Sequence, residues 1–263
     1  MKFPERFRSG RQVPFLLMPS GLVNIQSSMI PSTNSPGDLL LDNPIWNSLA
    51  TRHARFADGV GRARRYRSEI GPLSGVREPS REAFAELAAL VADGDLAVLF
   101  LKDRGDFPEG WEVVRDGTLV QMVCPERPEE PALAERIGPL GPEDFAEMVA
   151  LAKLTEPGPF REGTPKLGGF FGIRVDGRLA AMAGQRLSPS GFTEVSAVCT
   201  HPGFRGRGFA RALVAVVARN VFDAGDVPFL TSFEANAGAI RVYEQVGFAT
   251  RRRFELAVVR PPR

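Results

Sequence analysis

The sequence predicts an α+β protein built in α/β/α layers, and three patterns indicate this class. Short apolar patterns typical of strands alternate with amphipathic helical patterns along the chain. Two Asp-Gly pairs, at 116–117 and 176–177, each lie between apolar runs, as the turns of short hairpins do. A glycine- and arginine-rich turn at 203–208 separates a strand pattern from a helix pattern. Together these patterns predict a sheet covered by helices.

The composition excludes several classes of protein. The chain has 263 residues, of which 43% are hydrophobic and 24% charged, and a net charge of +2, so it lacks the basic footprint of a nucleic-acid-binding protein. Its 2 cysteines exclude a disulfide scaffold, and with 2 histidines they leave little material for a metal site. No segment approaches the ~20 apolar residues of a membrane span. We therefore expect no metal, no nucleic-acid partner, no membrane partner and a cytoplasmic setting.

We divide the chain into three parts. Residues 1–28 have a short apolar run interrupted by prolines, and we expect a disordered leader or non-native segment there. Proline and glutamate crowd residues 125–131, which is the best internal boundary. This boundary predicts an N-terminal α+β domain over 29–130 and a second domain over 131–263.

The first of these domains reads as two helices followed by strands. Pro44 suits the first turn of a helix over 43–58. Ser80 and Gly94 are suitable N-terminal and C-terminal signals for a helix over 81–93. The apolar run 96–101 predicts a buried strand, and residues 112–115 and 119–124 predict a hairpin around the first Asp-Gly pair.

The second domain alternates helices and strands, with a Gly/Pro-rich loop at 155–169 that should help to shape a binding site. The predicted helices cover 142–154, 208–224 and 237–246. The predicted strands cover 170–175, 178–187, 192–200, 229–233 and 251–259, and the first two form a hairpin around the second Asp-Gly pair.

The glycine-rich turn has the chemistry of an anion site. Gly206 and Gly208 let the backbone approach a ligand, and the following helix N-terminus adds partial positive charge. Three arginines lie close by in the sequence: Arg205, Arg207 and Arg211. A pyrophosphate fits this pattern, although the Lys-Ser/Thr pair of a nucleotide P-loop is missing. The alternative is a tight strand-to-helix turn that binds nothing.

Two motifs in this half resemble those of one enzyme superfamily. The pattern Arg205-x-x-Gly208-x-Ala210 resembles the signature of the GNAT acetyltransferases, and a second pattern resembles their last-helix motif: Asn236-x-x-Ala239-x-x-x-Tyr243-x-x-x-Gly247-Phe248. The sequences of segments 172–184 and 192–208 are similar to those of the FR47-like branch. The resemblance implies a GNAT acyl-CoA N-acyltransferase fold with a central mixed, mostly antiparallel sheet, preceded by a smaller, diverged GNAT-like α+β half.

The resemblance also implies where acetyl-CoA binds. It would lie between two splayed parallel strands, 194–200 and 229–233, with main-chain hydrogen bonds around Val198, Cys199 and Thr200. The pyrophosphate would bind the turn and first helical residues: Arg205, Gly206, Arg207, Gly208, Phe209, Ala210 and Arg211. Asn236 would contact the cofactor arm, or else only cap the helix that follows it.

Two residues are candidates for proton transfer. Tyr243 occupies the position of the family's usual general acid, although it could merely pack its helix on the sheet. Glu194 is the candidate base; period-2 alternation puts it on one face with Ser196, Val198 and Thr200. An ordinary strand-start glutamate or a water relay are the alternatives. Cys199 falls on the opposite face and is expected to be a buried thiol.

The function predicted from these residues is an acetyl-CoA-dependent N-acetyltransferase. An amine would attack the thioester directly in a ternary complex, and the acceptor would be a primary amine of an unidentified small molecule or amino acid. The alternative is a catalytically idle acyl-CoA-binding sensor or interaction protein. We expect a monomer or homodimer.

Overall fold

The computed structural model describes residues 38–103 and 105–263, so the predicted leader at 1–28 lies outside the described residues. The strands run in chain order as β1 Ala57–Asp58, β2 Ala63–Tyr66, β3 Ser74–Val76, β4 Ala97–Leu101, β5 Glu112–Val123, β6 Ile137–Leu140, β7 Phe170–Val175, β8 Arg178–Gln185, β9 Phe192–Thr200, β10 Val227–Phe233 and β11 Ala249–Arg260. The α-helices are α1 Pro44–Ala50, α2 Arg81–Leu90, α3 Phe145–Thr155, α4 Phe209–Asp223 and α5 Ala237–Val246.

Eight strands form one sheet in the order β4-β11-β5-β10-β9-β8-β7-β6, and β1 to β3 form a small separate sheet. Every neighbouring pair of the large sheet is antiparallel except β9 and β10, which are parallel. The predicted class, an α+β fold with a mixed and mostly antiparallel central sheet, is confirmed.

The large sheet contains strands from both sides of residue 130. β5 lies between β10 and β11, and β11 lies between β5 and β4. Strands β4 and β5, from the N-terminal part of the chain, therefore pair with β10 and β11, from its C-terminal part. The division of the chain at residue 130 stays a prediction, with a sheet that runs across it.

Helices cover both faces of the sheet. On one face, α4 and α5 pack over β8, β9 and β10 through one apolar cluster, which includes Leu213, Val217, Ala181, Leu230 and Tyr243. On the other face, α3 packs on β8 and β9 through Met148, Leu151, Met182 and Cys199. Helix α1 packs with Ile45 and Leu49 against Phe229 and Phe254 of the central strands. This burial of apolar surface on both sides holds β9 and β10 in place at the centre.

One Asp-Gly prediction is confirmed and the other is wrong. Asp176 and Gly177 join β7 to β8 with φ values of +50° and +78°, as a two-residue hairpin turn requires. The pair at 116–117 forms no turn, because β5 continues through it and Gly117 pairs with Leu256 of β11. A long partner strand distant in the sequence overrides the local turn preference here.

The structure differs from the sequence prediction at three other places. The helix predicted over 43–58 ends at Ala50, and a single 3-10 turn follows at Ala54–Phe56. Strands β2 and β3 were not predicted, since they are short. Strand β6 was missed because Gly138 and Pro139 resemble a turn; a proline is tolerated there because β6 is an edge strand.

A buried histidine contacts β2 of the small sheet. Nδ1 of His53 lies 2.7 Å from the Tyr66 hydroxyl, and both side chains are buried. Burial lowers the pKa of His53 to about 4, and the positive charge of Arg55 adds to this effect. His53 is therefore neutral in the folded protein throughout the range in which an unfolded histidine becomes charged.

This difference predicts a pH-dependent stability. Below pH 6.5 the unfolded chain binds a proton at His53 that the folded protein binds only near pH 4, so the free energy of unfolding falls as the pH falls through this window. The loss amounts to about 3 kcal/mol between these limits. In His53→Gln, urea denaturation at a series of pH values should show a decrease smaller by that amount. An equal pH dependence in both proteins would contradict the assignment.

Candidate active site

The central parallel strands separate after three residue pairs. Val227, Pro228 and Phe229 of β10 pair with Phe192, Thr193 and Glu194 of β9, and the register ends there although both strands continue. Beyond Glu194, β9 stays paired with β8, and β10 stays paired with β5. A cleft therefore opens at the centre of the sheet, between the second halves of β9 and β10.

A β-bulge at Ala197 reverses the side-chain alternation of β9. Ala197 has φ +51°, and the pairing with β8 skips one residue between Met182 and Gly184. As a result Ala197 packs with Cys199 in the cluster under α3, whereas Val198 packs in the cluster under α4. The prediction that Glu194, Ser196, Val198 and Thr200 share one face is wrong beyond the bulge.

The bulge decides which main-chain groups face the cleft. His201 donates its N–H to the Ala180 carbonyl at 2.8 Å, and Cys199 pairs with Met182 two residues earlier, so both direct their main-chain groups to β8. Thr200 lies between these two residues, so its N–H and C=O groups point away from β8, toward the cleft. The N–H and C=O groups of Val198 point in the same direction. The structure thus brings Val198 and Thr200, but not Cys199, to the cleft. Within the described residues the buried Thr200 hydroxyl has no hydrogen bond, which suits an added polar ligand.

The glycine-rich turn follows β9 at the end of this cleft. Gly206 and Gly208 have φ values of +78° and +75°, which favour glycine, and Gly208 is the N-cap of α4. The first helical hydrogen bond is that of Ala212 N–H to the Gly208 carbonyl, 3.1 Å. The three preceding N–H groups, those of Phe209, Ala210 and Arg211, have no intrahelical partner and point out of the helix N-terminus.

The arginines of the turn are available for a ligand. Arg205, Arg207 and Arg211 are exposed, and within the described residues none of them forms a salt bridge. The guanidinium of Arg207 lies 5.2 Å from the centre of the Phe204 ring, at the distance of a cation–π contact. Phe209 instead buries its side chain in the core under α4 and anchors the turn. Positive charge and free N–H groups therefore coincide on one surface.

Tyr243 lies on α5 and is 9% exposed. Its ring packs edge-to-face on Phe248, and within the described residues its hydroxyl has no hydrogen-bond partner. Burial raises the pKa of Tyr243 to about 12, so the hydroxyl keeps its proton at neutral pH and can donate it. Asn236 caps the same helix by accepting the Ala239 N–H at 3.3 Å, so the capping role that the sequence left open is present.

Glu194 is fully buried and paired with an arginine that the sequence analysis did not single out. Nε and Nη2 of Arg186 donate to the two carboxylate oxygens of Glu194 at 2.8 and 2.9 Å. Burial opposes the charge of Arg186, and the adjacent carboxylate outweighs burial and raises its pKa. The sequence offers only a weak signal for this pair. An arginine stands at the end of one strand and a glutamate eight residues later near the start of the next, but such pairs are usually exposed.

The loop at 155–169 is fixed to the N-terminal part of the chain. The Thr164 hydroxyl donates to the Ile70 carbonyl at 2.7 Å, and Arg161 donates to Asp95 at 3.0 Å. Arg65 also donates to this carboxylate, at 2.8 Å. Burial raises the pKa of Asp95, but the arginine hydrogen bonds outweigh it and bring the pKa to about 2. The N-terminal part thus holds one wall of the site.

The remaining nucleophile near the cleft is inert. Cys199 is buried under α3, and burial raises the pKa of its thiol to about 11, so the reactive thiolate is scarce at neutral pH. His201 accepts the Gly203 N–H at its own Nδ1, 3.1 Å away, and so shapes the turn.

Among residues 38–103 and 105–263 we find no group of three or more side chains suited to a metal ion. The same residues include no helix long and apolar enough to cross a membrane.

Comparisons with known proteins identify a family and similar structures. A family model described as FR47-like protein matches residues 170–256. A protein assigned to the GNAT acetyltransferases, from Novosphingobium aromaticivorans, has a solved structure that is 39% identical over 85% of this chain and 99% of its own, with a TM-score of 0.78.

Two other structures share the fold at low identity. A GCN5-related N-acetyltransferase from Kribbella flavida is 19% identical over 81% of this chain and 95% of its own, with a TM-score of 0.54. A GCN5-related N-acetyltransferase-like protein from Streptococcus suis is 15% identical over 82% and 92%, with a TM-score of 0.56. A search of curated proteins found no match.

Proposed function

The chain belongs to the GNAT acetyltransferase superfamily and is FR47-like, and from this premise we propose that it is an acetyl-CoA-dependent N-acetyltransferase. Its acceptor in this proposal is the primary amine of a small molecule or amino acid, and it works in the cytoplasm as a monomer or homodimer. The family and the fold support acyl transfer in general. The acetyl-CoA donor, the amine acceptor and the mechanism of transfer are proposed here in addition.

One observation carries the proposal: the cleft where β9 leaves β10 leads directly into the glycine-rich turn. A long ligand with amide groups at one end and a pyrophosphate at the other matches this sequence of features. Main-chain groups of Val198 and Thr200 are available for the amides, and the turn with its arginines is available for the phosphates. No metal is required for either contact.

The proposed reaction is the attack of a neutral amine nitrogen on the thioester carbonyl carbon. The N–C bond forms, the C–S bond breaks, and the Val198 N–H stabilises the negative charge that develops on the carbonyl oxygen. Tyr243 gives its proton to the leaving thiolate. The proton released by the amine passes to water, because both oxygens of Glu194 are already bound by Arg186. We therefore assign the base role to a water relay, the alternative to Glu194 that the sequence left open.

The direct test is the release of free thiol from acetyl-CoA in the presence of an amine panel. Thiol release that depends on both the protein and the amine supports the proposal. A rise in melting temperature with CoA but no turnover on a broad panel would favour an idle acyl-CoA sensor instead. If CoA neither stabilises the protein nor is consumed, both functions are excluded.

Tyr243→Phe removes one oxygen and keeps the ring packing on Phe248. We expect kcat to fall about 100-fold, because the thiolate then leaves without a proton donor, while the dissociation constant of CoA stays unchanged. In the parent enzyme no loss of activity from Tyr243 ionisation is expected below about pH 11, since its pKa is about 12. Steady-state kinetics with the best amine from the panel measure both effects. Full activity of the variant at every pH would exclude the general-acid role.

A further inference from the structure

Arg186 has one donor group that the protein does not use. Its side chain is buried, with 9% of the residue exposed, and Nε and Nη2 are bound to Glu194. Within the described residues Nη1 makes no hydrogen bond. Nη1 is not among the fully buried polar atoms that lack a partner, so it keeps some contact with solvent and can donate to water or to a ligand.

This unused group faces a narrow pocket beside the cleft. The pocket is lined by Arg186 with Ser196 and Ala197 of β9, and by Phe170 and the segment 157–160 of the loop after α3. A β-carbon added at Gly158 would lie 3.9 Å from Nη1, so this nitrogen faces the backbone of the loop. Ser196 and Ala197 are the residues at which β9 has just left β10. The pocket therefore lies next to the position proposed for the thioester.

Arg186 is held in a fixed orientation by the bidentate contact with Glu194. The two hydrogen bonds use one edge of the planar guanidinium, which leaves the opposite side directed to the pocket. Glu194 is 0% exposed and accepts both hydrogen bonds, so its geometry fits a residue that positions Arg186. Tyr66 of β2 feels both charges: burial and the charge of Glu194 raise its pKa, Arg186 opposes this, and the hydroxyl stays uncharged.

We propose that Arg186 binds the carboxylate of the acceptor, so that the substrates are amines that also carry a carboxylate. This inference rests on the proposed function and names the acceptor class of the same site. A carboxylate on Nη1 would receive a charge-assisted hydrogen bond in a site shielded from water. The Ser196 hydroxyl, which has no recorded hydrogen bond in the described part of the chain, lies in the same pocket wall.

The pocket is closed in this conformation. It has no room for a water molecule, so an acceptor can enter only if segment 157–160 moves outward. Gly158 has φ +127° and is flanked by prolines, which places a flexible residue between two stiff ones at this point. A small acceptor is favoured, since Thr164 and Arg161 hold the end of the loop to the N-terminal part.

The first experiment compares acceptors that differ only in charge. Glycine and β-alanine are tested against their amides, with thiol release as the readout. We expect kcat/KM for the acids to exceed that for the amides by about 10- to 100-fold. Turnover of amides as fast as acids would overturn the inference and leave the proposed function intact. Absence of turnover with every amine would count against the proposed function alone, and the second experiment then decides the inference.

The second experiment measures binding without turnover. Calorimetry in the presence of CoA compares N-acetylglycine with N-acetylglycinamide on the parent and on Arg186→Met/Glu194→Leu. This double variant removes the pair without leaving a buried charge, so it should keep the fold. We expect the parent to prefer the acid by about 10-fold or more, and the variant to show no preference. Equal binding by the parent, or a preference that survives in the variant, would overturn the inference.

A lysine variant separates charge from geometry. Arg186→Lys keeps a positive charge but loses the planar fork, so it cannot bind Glu194 and the carboxylate in the same arrangement. We expect KM for glycine to rise about 10-fold while kcat changes little, because the acceptor is bound loosely and the chemistry is untouched. A fall in kcat with unchanged KM would indicate that Glu194 and Arg186 serve the reaction itself, contrary to the positioning role.

Discussion

Glu194→Leu is expected to lower the free energy of unfolding by about 3 to 5 kcal/mol, because it leaves the Arg186 guanidinium buried with no partner. The pair lies at the end of β8 and in the first half of β9, where Glu194 is 0% and the Arg186 side chain 10% exposed, so loss of the carboxylate leaves a largely buried charge. Urea denaturation at pH 7 measures the change.

Two controls make this result specific. The double variant Arg186→Met/Glu194→Leu should recover most of the lost stability, since it removes both charges. Glu112→Leu breaks a salt bridge with Arg260 in which both side chains are about half exposed, and it should cost less than about 1 kcal/mol. A loss in Glu194→Leu no greater than that in Glu112→Leu would show that the buried pair is not the source of stability.

Arg205→Gln/Arg207→Gln is expected to weaken CoA binding about 100-fold or more, because two charge-assisted contacts to phosphate are removed from the glycine-rich turn. Both side chains are exposed and outside any salt bridge of the described residues, so the fold should be unaffected. Calorimetric titration with CoA measures the effect. The parent should also lose more affinity than the variant when the salt concentration rises.

Arg81→Gln/Arg263→Gln is the matched control. It removes the same charge from two exposed positions, at the start of α2 and after β11, elements that pack at the β4–β11 edge of the sheet, and should leave the dissociation constant unchanged. Pantetheine, which has no phosphate, should bind parent and variant equally. If the variant at 205 and 207 binds CoA as the parent does, the glycine-rich turn is not the phosphate site.

The glycine-rich turn could be predicted from sequence because its determinants are local. Gly206 and Gly208 adopt positive φ values that few other residues tolerate, and the charges follow within one turn of helix. The same holds for the Asp176-Gly177 hairpin. The pair Asp116-Gly117 has an equal local preference for a turn, but a strand far away in the sequence pairs with it and keeps it extended.

The details of the cleft could not be predicted in this way. Ala197 takes φ +51° without being a glycine, so no residue type marks the bulge that turns Val198 to the opposite face. Arg186 looks like an ordinary surface arginine at the end of a strand. Its burial follows from the loop after α3, which lies against it and is held by contacts distant in the sequence, such as that of Thr164 with Ile70.

The position of β11 has a consequence for how the chain folds during synthesis. Its last residue, Arg260, pairs with Glu112, from which it is separated by 148 residues. A ribosome has therefore made nearly the whole chain before β11 can enter between β4 and β5. Until then those two strands have unpaired edges, which makes the nascent chain slow to fold and open to aggregation. A chaperone that covers these edges is expected to raise the yield of folded protein more than it alters the folded protein's stability.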